Sequence, residues 1–501
     1  ARTRRMALEE PLLESSPLLE SSTTAASSER EDSKAEEEGK WEQLGIFVVL
    51  SICSQMHWVK YTSVPKESAH TFRVPLSAVT ALATVYPAVY VPGSMLAARA
   101  MRRGGLRATM RESADWMVVG SALNVAGAAL PTRLGYAVTF AGQTCLGLGQ
   151  PHLVNSPAAL ATEWFPVSER DLAATLGLLG NVLGQAFGEA LCPLVVDGIP
   201  KKAILVLCLV VAAPTALAWL WTRLRFRRGR RRRENAKELS RVVGDHLLRS
   251  EDDVSGDVRQ AVEKPLLASW YGALRDDRDF LLLWLAFCVG VSVFNSLLSL
   301  AAQWLAGCGY SDTVVGFMTA LFVLVGIPAA AVTGLVLDAT RAYRPVLKCL
   351  AASALTGTLA LVFAARRHDA ALLYLAWGLL GGALVAASAA IMDAAVEVTY
   401  PRPPELSTGL LFCGGNVLSI AVTYVLVALL GAQRNECRPL ESLFHDASAP
   451  VALFLTASFA VCAGLLLAYN GPYRRLHAEQ QKLHGDTLPQ RDGETTYRMS
   501  V

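Results

Sequence analysis

Long apolar runs, each about the length of a bilayer crossing, alternate with short polar connectors along most of this chain. A helix needs ~20 apolar residues to cross hydrocarbon, because its backbone must satisfy its own hydrogen bonds there. The pattern predicts twelve such segments. The first six are 43–64, 76–98, 114–131, 135–162, 172–196 and 202–222. The second six are 280–305, 313–337, 345–365, 370–398, 406–431 and 449–469. The polar stretch 223–279 separates them, so the chain reads as an N-terminal half (43–222), a cytosolic linker, a C-terminal half (280–470) and two tails, 1–42 and 471–501. The fold class expected is all-α integral membrane, with twelve transmembrane helices in two pseudo-symmetric halves of six, related as parallel repeats.

Composition agrees. Of 501 residues 52% are hydrophobic and 18% are charged, against roughly a quarter charged in soluble domains. The charges crowd into the tails, the linker and the connectors. A formal net charge of +3 gives no reason to expect a nucleic-acid partner. The first residues are polar, so no cleavable signal peptide is expected. Seven cysteines (Cys53, Cys145, Cys208, Cys288, Cys349, Cys413 and Cys462) lie in apolar runs without paired spacing and read as buried free thiols. Cys308 and Cys437 can both face outside and pair.

Lys and Arg near the span ends set orientation. Arg99, Arg102, Arg103, Arg107, Arg111, the run Arg223 to Arg233, Arg341, Arg344, Lys348, Arg474 and Arg475 fall on one side, which is then cytosolic and holds both termini. The basic run after span 6 is read as a topology anchor on anionic lipid rather than a nucleic-acid signal. The tail Ser15 to Lys40 is rich in Ser and Glu and is expected to be disordered. Glu14, Leu18 and Leu19 have the spacing of an acidic dileucine sorting signal, which clathrin adaptors read; plasma membrane and endosome or lysosome are both open.

Polar residues inside spans cost free energy and are functional candidates. In span 1, Ser54, Trp58 and Tyr61 share a face, with His57 on an adjoining stripe. Such an aromatic and polar stripe suits a flat or cationic solute. The alternative is that Trp58 and Tyr61 are interfacial belt residues; Lys60 is expected to snorkel outward. Span 5 carries Asn181, Gln185 and Glu189 on one stripe, and Gly177, Gly180, Gly184 and Gly188 as a face for close helix contact. Glu189 is either a proton or cation site, or a carboxylate paired with a lysine or facing water outside. Asn295, Gln303 and Asn416 add polar groups in spans 7 and 11, and Gln143, Gln150, His152 and Asn155 in span 4. No P-loop, GxSxG, HExxH or Cys/His cluster occurs, so an ATP-driven pump, an enzyme, a metal site and a resident cofactor are not expected.

Several motifs resemble the feline leukaemia virus subgroup C receptor-related family, solute carrier family 49, within the major facilitators. They are Trp58-Val59-Lys60-Tyr61; Glu163-Trp164-Phe165-Pro166 with Glu169-Arg170 and Gly180-Asn181; Ala395-Val396-Glu397-Val398-Thr399-Tyr400-Pro401 with Ser407-Thr408-Gly409; and the tail Pro472-Tyr473-Arg474-Arg475. Gly334 to Asp338 with Arg341 resembles the major facilitator signature between spans 8 and 9, whereas Arg102 stands where the first-half copy has an aspartate. The resemblance covers roughly 43–476 and implies the major facilitator fold and transport of a small organic solute, haem or a choline-like amine. Family members that bind choline cage it between a span 1 Trp and a span 7 Tyr; here Trp58 is kept, Asn295 replaces the Tyr, and Val182 and Asn416 replace two glutamines. Haem would want an axial ligand, for which His57 and His152 are available.

The expectation is therefore a monomeric carrier, with Trp58, His57, Tyr61, Asn181, Gln185, Asn295, Gln303 and Asn416 at a central cavity. Glu163, Glu169, Arg170, Asp338, Arg341, Asp393 and Glu397 are expected to form ion pairs that gate it. A non-transporting receptor or scaffold of the same fold is the competing reading.

Overall fold

The computed structural model describes residues 39–130, 132–166, 169–198, 202–227, 274–275, 277–340, 342–367, 369–400, 404–431, 449–472 and 474. Glu14, Leu18, Leu19, Arg341, Cys437 and the side chain of Asp338 lie outside that set.

The described residues are helical almost throughout. The elements α1 (39–59), α2 (Pro65–Phe72), α3 (Leu76–Gly104), α4 (Leu106–Ala129), α5 (Arg133–Val154), α6 (Pro157–Trp164), α7 (Arg170–Asp197) and α8 (Ala203–Arg225) form a first group. A second group comprises α9 (Arg278–Ala306), α10 (Asp312–Thr340), α11 (Tyr343–Arg367), α12 (Ala370–Thr399), α13 (Pro404–Gly431) and α14 (Ala449–Ala468). Nine of the helices among the described residues are long and apolar enough to cross a membrane, beginning with Leu76–Gly104. The helices run alternately up and down. One end of the molecule, the basic end, gathers Lys40, Arg102, Arg223 and Arg474; the other holds Asp197, Asp312 and Asp369.

Two expected spans are broken. Over 135–162 the chain forms α5 and α6, because Pro157 has no N–H to continue a helix and instead opens a new one. Over 43–64 the helix stops at residue 59, and the carbonyl of Val59 takes the N–H groups of Thr62 and Ser63 as the chain turns into α2. Asp277 caps α9 by accepting from the amides of Asp279 and Phe280, and Asp369 caps α12 in the same way.

Packing follows the grouping. Two apolar clusters are built from α1–α8, one around Phe47, Met110 and Leu153, the other around Tyr61, Phe72 and Leu207. Two more are built from α9–α14, around Phe287 and Leu347, and around Phe322 and Trp377; Ala186 of α7 joins the last. In hydrocarbon the hydrophobic effect gives helices no reason to associate, so close van der Waals approach and polar bonds carry the contact. The expected glycine face of α7 is present. A Cβ on Gly184 would sit 2.4 Å from the carbonyl oxygen of Ile52, and one on Gly180 or Gly188 would sit 3.1 Å from the Cα of Val48 or Met56, so α7 rides directly on the α1 backbone.

Buried cysteines agree with the sequence reading at Cys53, Cys208, Cys288 and Cys413, all free, and Cys192 joins them. Cys349 is free but exposed. Cys308 is disulfide-bonded, to a partner outside the described residues.

Gly184→Leu should force α1 and α7 apart. Overpacking of this kind costs roughly 1–3 kcal/mol, so a lowered thermal unfolding midpoint of the purified protein in detergent is the expected result, and an unchanged midpoint would contradict the close contact.

Candidate functional site

The polar residues singled out by sequence fall into three places. The first is inside the first group. His57 and Tyr61 are fully buried, and Trp58 is nearly so. The Tyr61 hydroxyl donates to Asn124 Oδ1 at 2.7 Å, and the Trp58 indole N–H donates to the carbonyl of Ala83 at 3.3 Å. Lys60 does not snorkel. The chain turns inward after residue 59, so Lys60 is 0% exposed, its Nζ 2.8 Å from His57 Nδ1 and 4.9 Å from the centre of the Tyr61 ring. Lys60 can only donate, so His57 Nδ1 accepts and His57 Nε2–H points to Thr215 Oγ1 at 3.0 Å. The Thr215 hydroxyl then donates to the carbonyl of Val211 at 2.8 Å. A directed chain of three hydrogen bonds thus holds one buried amine.

The second set comprises amide side chains on α1, α7, α9 and α13. Asn181 on α7 is half-buried and accepts from Gln55 Nε2 at 3.2 Å. Gln185, one turn on, is buried with no partner for its Nε2. In the second group, Asn295 on α9 donates to Ser419 Oγ of α13 at 3.3 Å, and Asn416 donates to the carbonyl of Phe412 at 2.8 Å. Asn295 and Asn416 are half-buried, leaving amide oxygen available. No carboxylate or ammonium sits among these five groups.

The third place is the end opposite the basic one, where the groups touch. Gln303 of α9 donates to Thr80 Oγ1 of α3 at 2.9 Å, and the hydroxyl of Thr313 bonds Asp197. Gly316 of α10 admits the α7 backbone so closely that a Cβ there would meet the carbonyl oxygen of Glu189 at 2.3 Å. Glu189 Oε2 lies 2.8 Å from Ser63 Oγ and 3.3 Å from Thr319 Oγ1, one hydroxyl from each group.

At the basic end, four ion pairs among the described residues each join residues of one group. Lys40 pairs with Glu169 at 2.7 Å, Arg225 with Glu42 at 2.9 Å and Arg223 with Asp115 in the first; Arg474 pairs with Asp277 at 2.7 Å in the second. Arg170 donates to the carbonyl of Phe165 at 3.2 Å. Glu163 is half-buried, Asp393 exposed and Glu397 buried, and each has an interaction of its own. An apolar groove of about 490 Å³ between α7, α10 and α12, lined by Phe187, Phe317, Leu321, Leu324 and Tyr374, has the surface chemistry of a face turned to lipid tails.

Residues 46–423 match the sequence profile of the Major Facilitator Superfamily. The chain belongs to that superfamily. It is similar to solute carrier family 49 member A3 of Xenopus tropicalis, with 26% identity over 87% of this chain and 88% of the relative. It is also similar to the choline/ethanolamine transporter FLVCR2 of Homo sapiens, at 23% identity over 75% and 69% of the two chains. Among solved structures, a D-xylose-proton symporter superimposes with a TM-score of 0.64 at 11% identity, covering 87% of this chain and 98% of the other, which bears on the fold alone. The protein is therefore an all-helical, multi-pass membrane transporter of the major facilitator fold.

Sequence reasoning missed Ser63 and Thr319. Thr319 sits in the most uniformly apolar part of α10 and reads alone as a helical hydroxyl bonded to its own backbone; only the crossing of α7 over α10 gives it a carboxylate. Tyr61→Phe should leave Asn124 Oδ1 without its donor and lower stability by about 1–2 kcal/mol, read as a drop in thermal midpoint without loss of transport.

Proposed function

We propose that the chain is a carrier of a small organic solute that works by alternating access, with twelve spans in two six-helix halves. In this reading α1, α3, α4, α5, α7 and α8 form one half and α9–α14 the other. One observation carries it: hydrogen bonds that join the two groups among the described residues, Gln303 to Thr80, Thr313 to Asp197 and Thr319 to Glu189, collect at the end opposite the basic one. Two bodies fastened there can rock about that contact, which is how alternating access to a site between them is produced.

We assign the solute site to Gln55, Asn181 and Gln185 of the first group with Asn295 and Asn416 of the second. They offer amide donors and acceptors and no ionised group, which suits a small polar or weakly hydrated cationic solute. Of the two substrate classes that the family suggests, the arrangement favours a choline-like amine over haem. Both His57 nitrogens are engaged, by Lys60 and Thr215, and His152 is fully buried with Nε2 3.7 Å from Glu112, so neither imidazole is presented to a solute. The human relative named for choline and ethanolamine points the same way. Glu163, Glu169, Arg170, Asp338, Arg341, Asp393 and Glu397 remain the gating set at the basic end. We assign that end to the cytosol; its Lys and Arg excess supports this, as does the disulfide at Cys308, a bond typical of oxidising compartments. The Glu14, Leu18, Leu19 signal would then face cytosolic adaptors and direct a monomer to the plasma membrane or the endosome–lysosome route.

The test is uptake of labelled choline, ethanolamine and haem into proteoliposomes. Truncating a hydrogen-bonding amide in a desolvated site costs about 1–2 kcal/mol, so Gln185→Ala and Asn295→Ala should each lower uptake about tenfold, with Tyr61→Phe near wild type. Flux of haem alone would overturn the amine assignment, and flux unaffected by either alanine would remove the assigned solute site. A receptor or scaffold would show no flux of any of the three.

A further inference from the structure

Glu189 is the one described carboxylate buried where the two halves meet, and its hydrogen bonds do not add up for an anion. An ionised carboxylate offers about four lone-pair sites to donors. Oε1 has no partner, and Glu189 is 3% exposed. Oε2 is approached by two hydroxyls, each with a single proton. Thr319 Oγ1 lies nearer to two carbonyls of its own helix, Val315 at 2.9 Å and Gly316 at 3.0 Å, than to Oε2 at 3.3 Å. Ser63 Oγ is shared between the carbonyl of Val59 at 2.9 Å and Oε2 at 2.8 Å. A neutral carboxyl resolves the count: it donates from Oε2 to Ser63 Oγ, Ser63 donates to Val59, and Thr319 donates to its own helix. An anion would keep one firm donor in a site closed to water, where an under-compensated charge costs several kcal/mol.

Among the described residues no cation pairs with it; Lys66, from α2, acts on Asp312 at the start of α10. On α7, Cys192 stands one turn beyond Glu189 and Asp197 lies at the helix end, bonded to Thr313. From the turn after α1 come Ser63 and, directed away to His57, the amine of Lys60. From α10 come Thr319 and, at its first turn, Asp312; from α8, Cys208 faces Tyr61. None of these forms an ion pair with Glu189. The position is equally particular, since the α7 backbone at Glu189 is pressed against Gly316, where a Cβ would meet its carbonyl oxygen at 2.3 Å.

We propose that Glu189 is a proton-binding site that latches the end opposite the basic one, neutral while α7 and α10 are in contact and ionised once they part. Opening withdraws Thr319 and Gly316 and admits water. The O–H bond of the carboxyl then breaks, the proton passes to water on that side, and the carboxylate is solvated; closure takes one proton back from the same side. The ligand is the proton and the acceptor is water, so no further reactant is needed. The assignment rests on the alternating-access reading above and adds to it a pH-dependent bias on which side is open.

The experiment uses the full chain in lipid nanodiscs, with spin labels on unnatural amino acids at Leu134 and Ala371, two exposed positions at that end, one in each half. Electron–electron distance distributions are recorded from acidic to alkaline pH. In the wild type the ratio of the long to the short distance should rise with pH, approaching tenfold per pH unit where one proton is linked to opening. Glu189→Gln, a fixed neutral mimic, should hold the short distance throughout. If that variant does not fold, Ser63→Ala decides: losing the acceptor of the carboxyl proton should move the whole titration to lower pH with its slope intact. A Glu189→Gln ratio that follows pH as the wild type does overturns the latch, as do two wild-type populations indifferent to pH, which would leave alternating access standing. A single distance at every pH, with choline and ethanolamine present, overturns alternating access and the latch with it.

Discussion

Every backbone N–H and C=O of this chain that lies in hydrocarbon has to find its partner in the same helix, and the rest of the architecture follows from that requirement. It fixes helices as the spanning element, and it removes water from the contest that drives soluble cores together. Contact between helices must then come from fit and from the few polar side chains admitted. Helix α7 shows both. Its glycines lie against the α1 backbone, and its Asn181, Gln185 and Glu189 turn towards α1's polar residues and α10. One helix thus packs closely on α1 while its Glu189 meets a hydroxyl of α10.

The intramembrane polar residues separate by whether their bonds close. Tyr61 with Asn124, Tyr86 with Gln143, and the run from Lys60 through His57 to Thr215 form completed links inside one half; they hold its helices in register. Unsatisfied buried atoms remain on Ser121, Thr139 and His152 within the first group and on Gln185 and Glu189 of α7. A membrane protein retains such incompleteness at a cost, and on the reading proposed above a solute at Gln185 and a proton at Glu189 complete the last two. Fixed and exchangeable chemistry are in this way set side by side along α7, a single turn apart.

How much of this could be read from the chain itself depends on range. That the chain is built of long apolar helices was legible because hydropathy is a local property, and so was the glycine face of α7, a four-residue repeat on one helix. The break at Asn155 and Ser156 was passed over because the apolar run continues through Pro157. Lys60 was misjudged because snorkelling is the usual fate of a lysine near a span end. Here the helix ends at residue 59, and the turn carries the amine under Tyr61 instead of out to water. Ser63 and Thr319 were not legible at all. They are 256 positions apart and matter only because α1, α7 and α10 meet at Glu189, a fact of tertiary packing that no local spacing records.

The double duty of α7 has a bearing on how a carrier of this kind can diversify. Its glycines admit no side chain without pushing α1 away, and its polar stripe serves both the solute wall and the contact with α10. A substitution on either face disturbs something other than the solute. Asn295 and Asn416, on α9 and α13, have lighter obligations, one bond to a serine and one to their own helix. New substrate preferences in descendants of this fold should therefore arise on the second-half wall, with α7 inherited nearly intact.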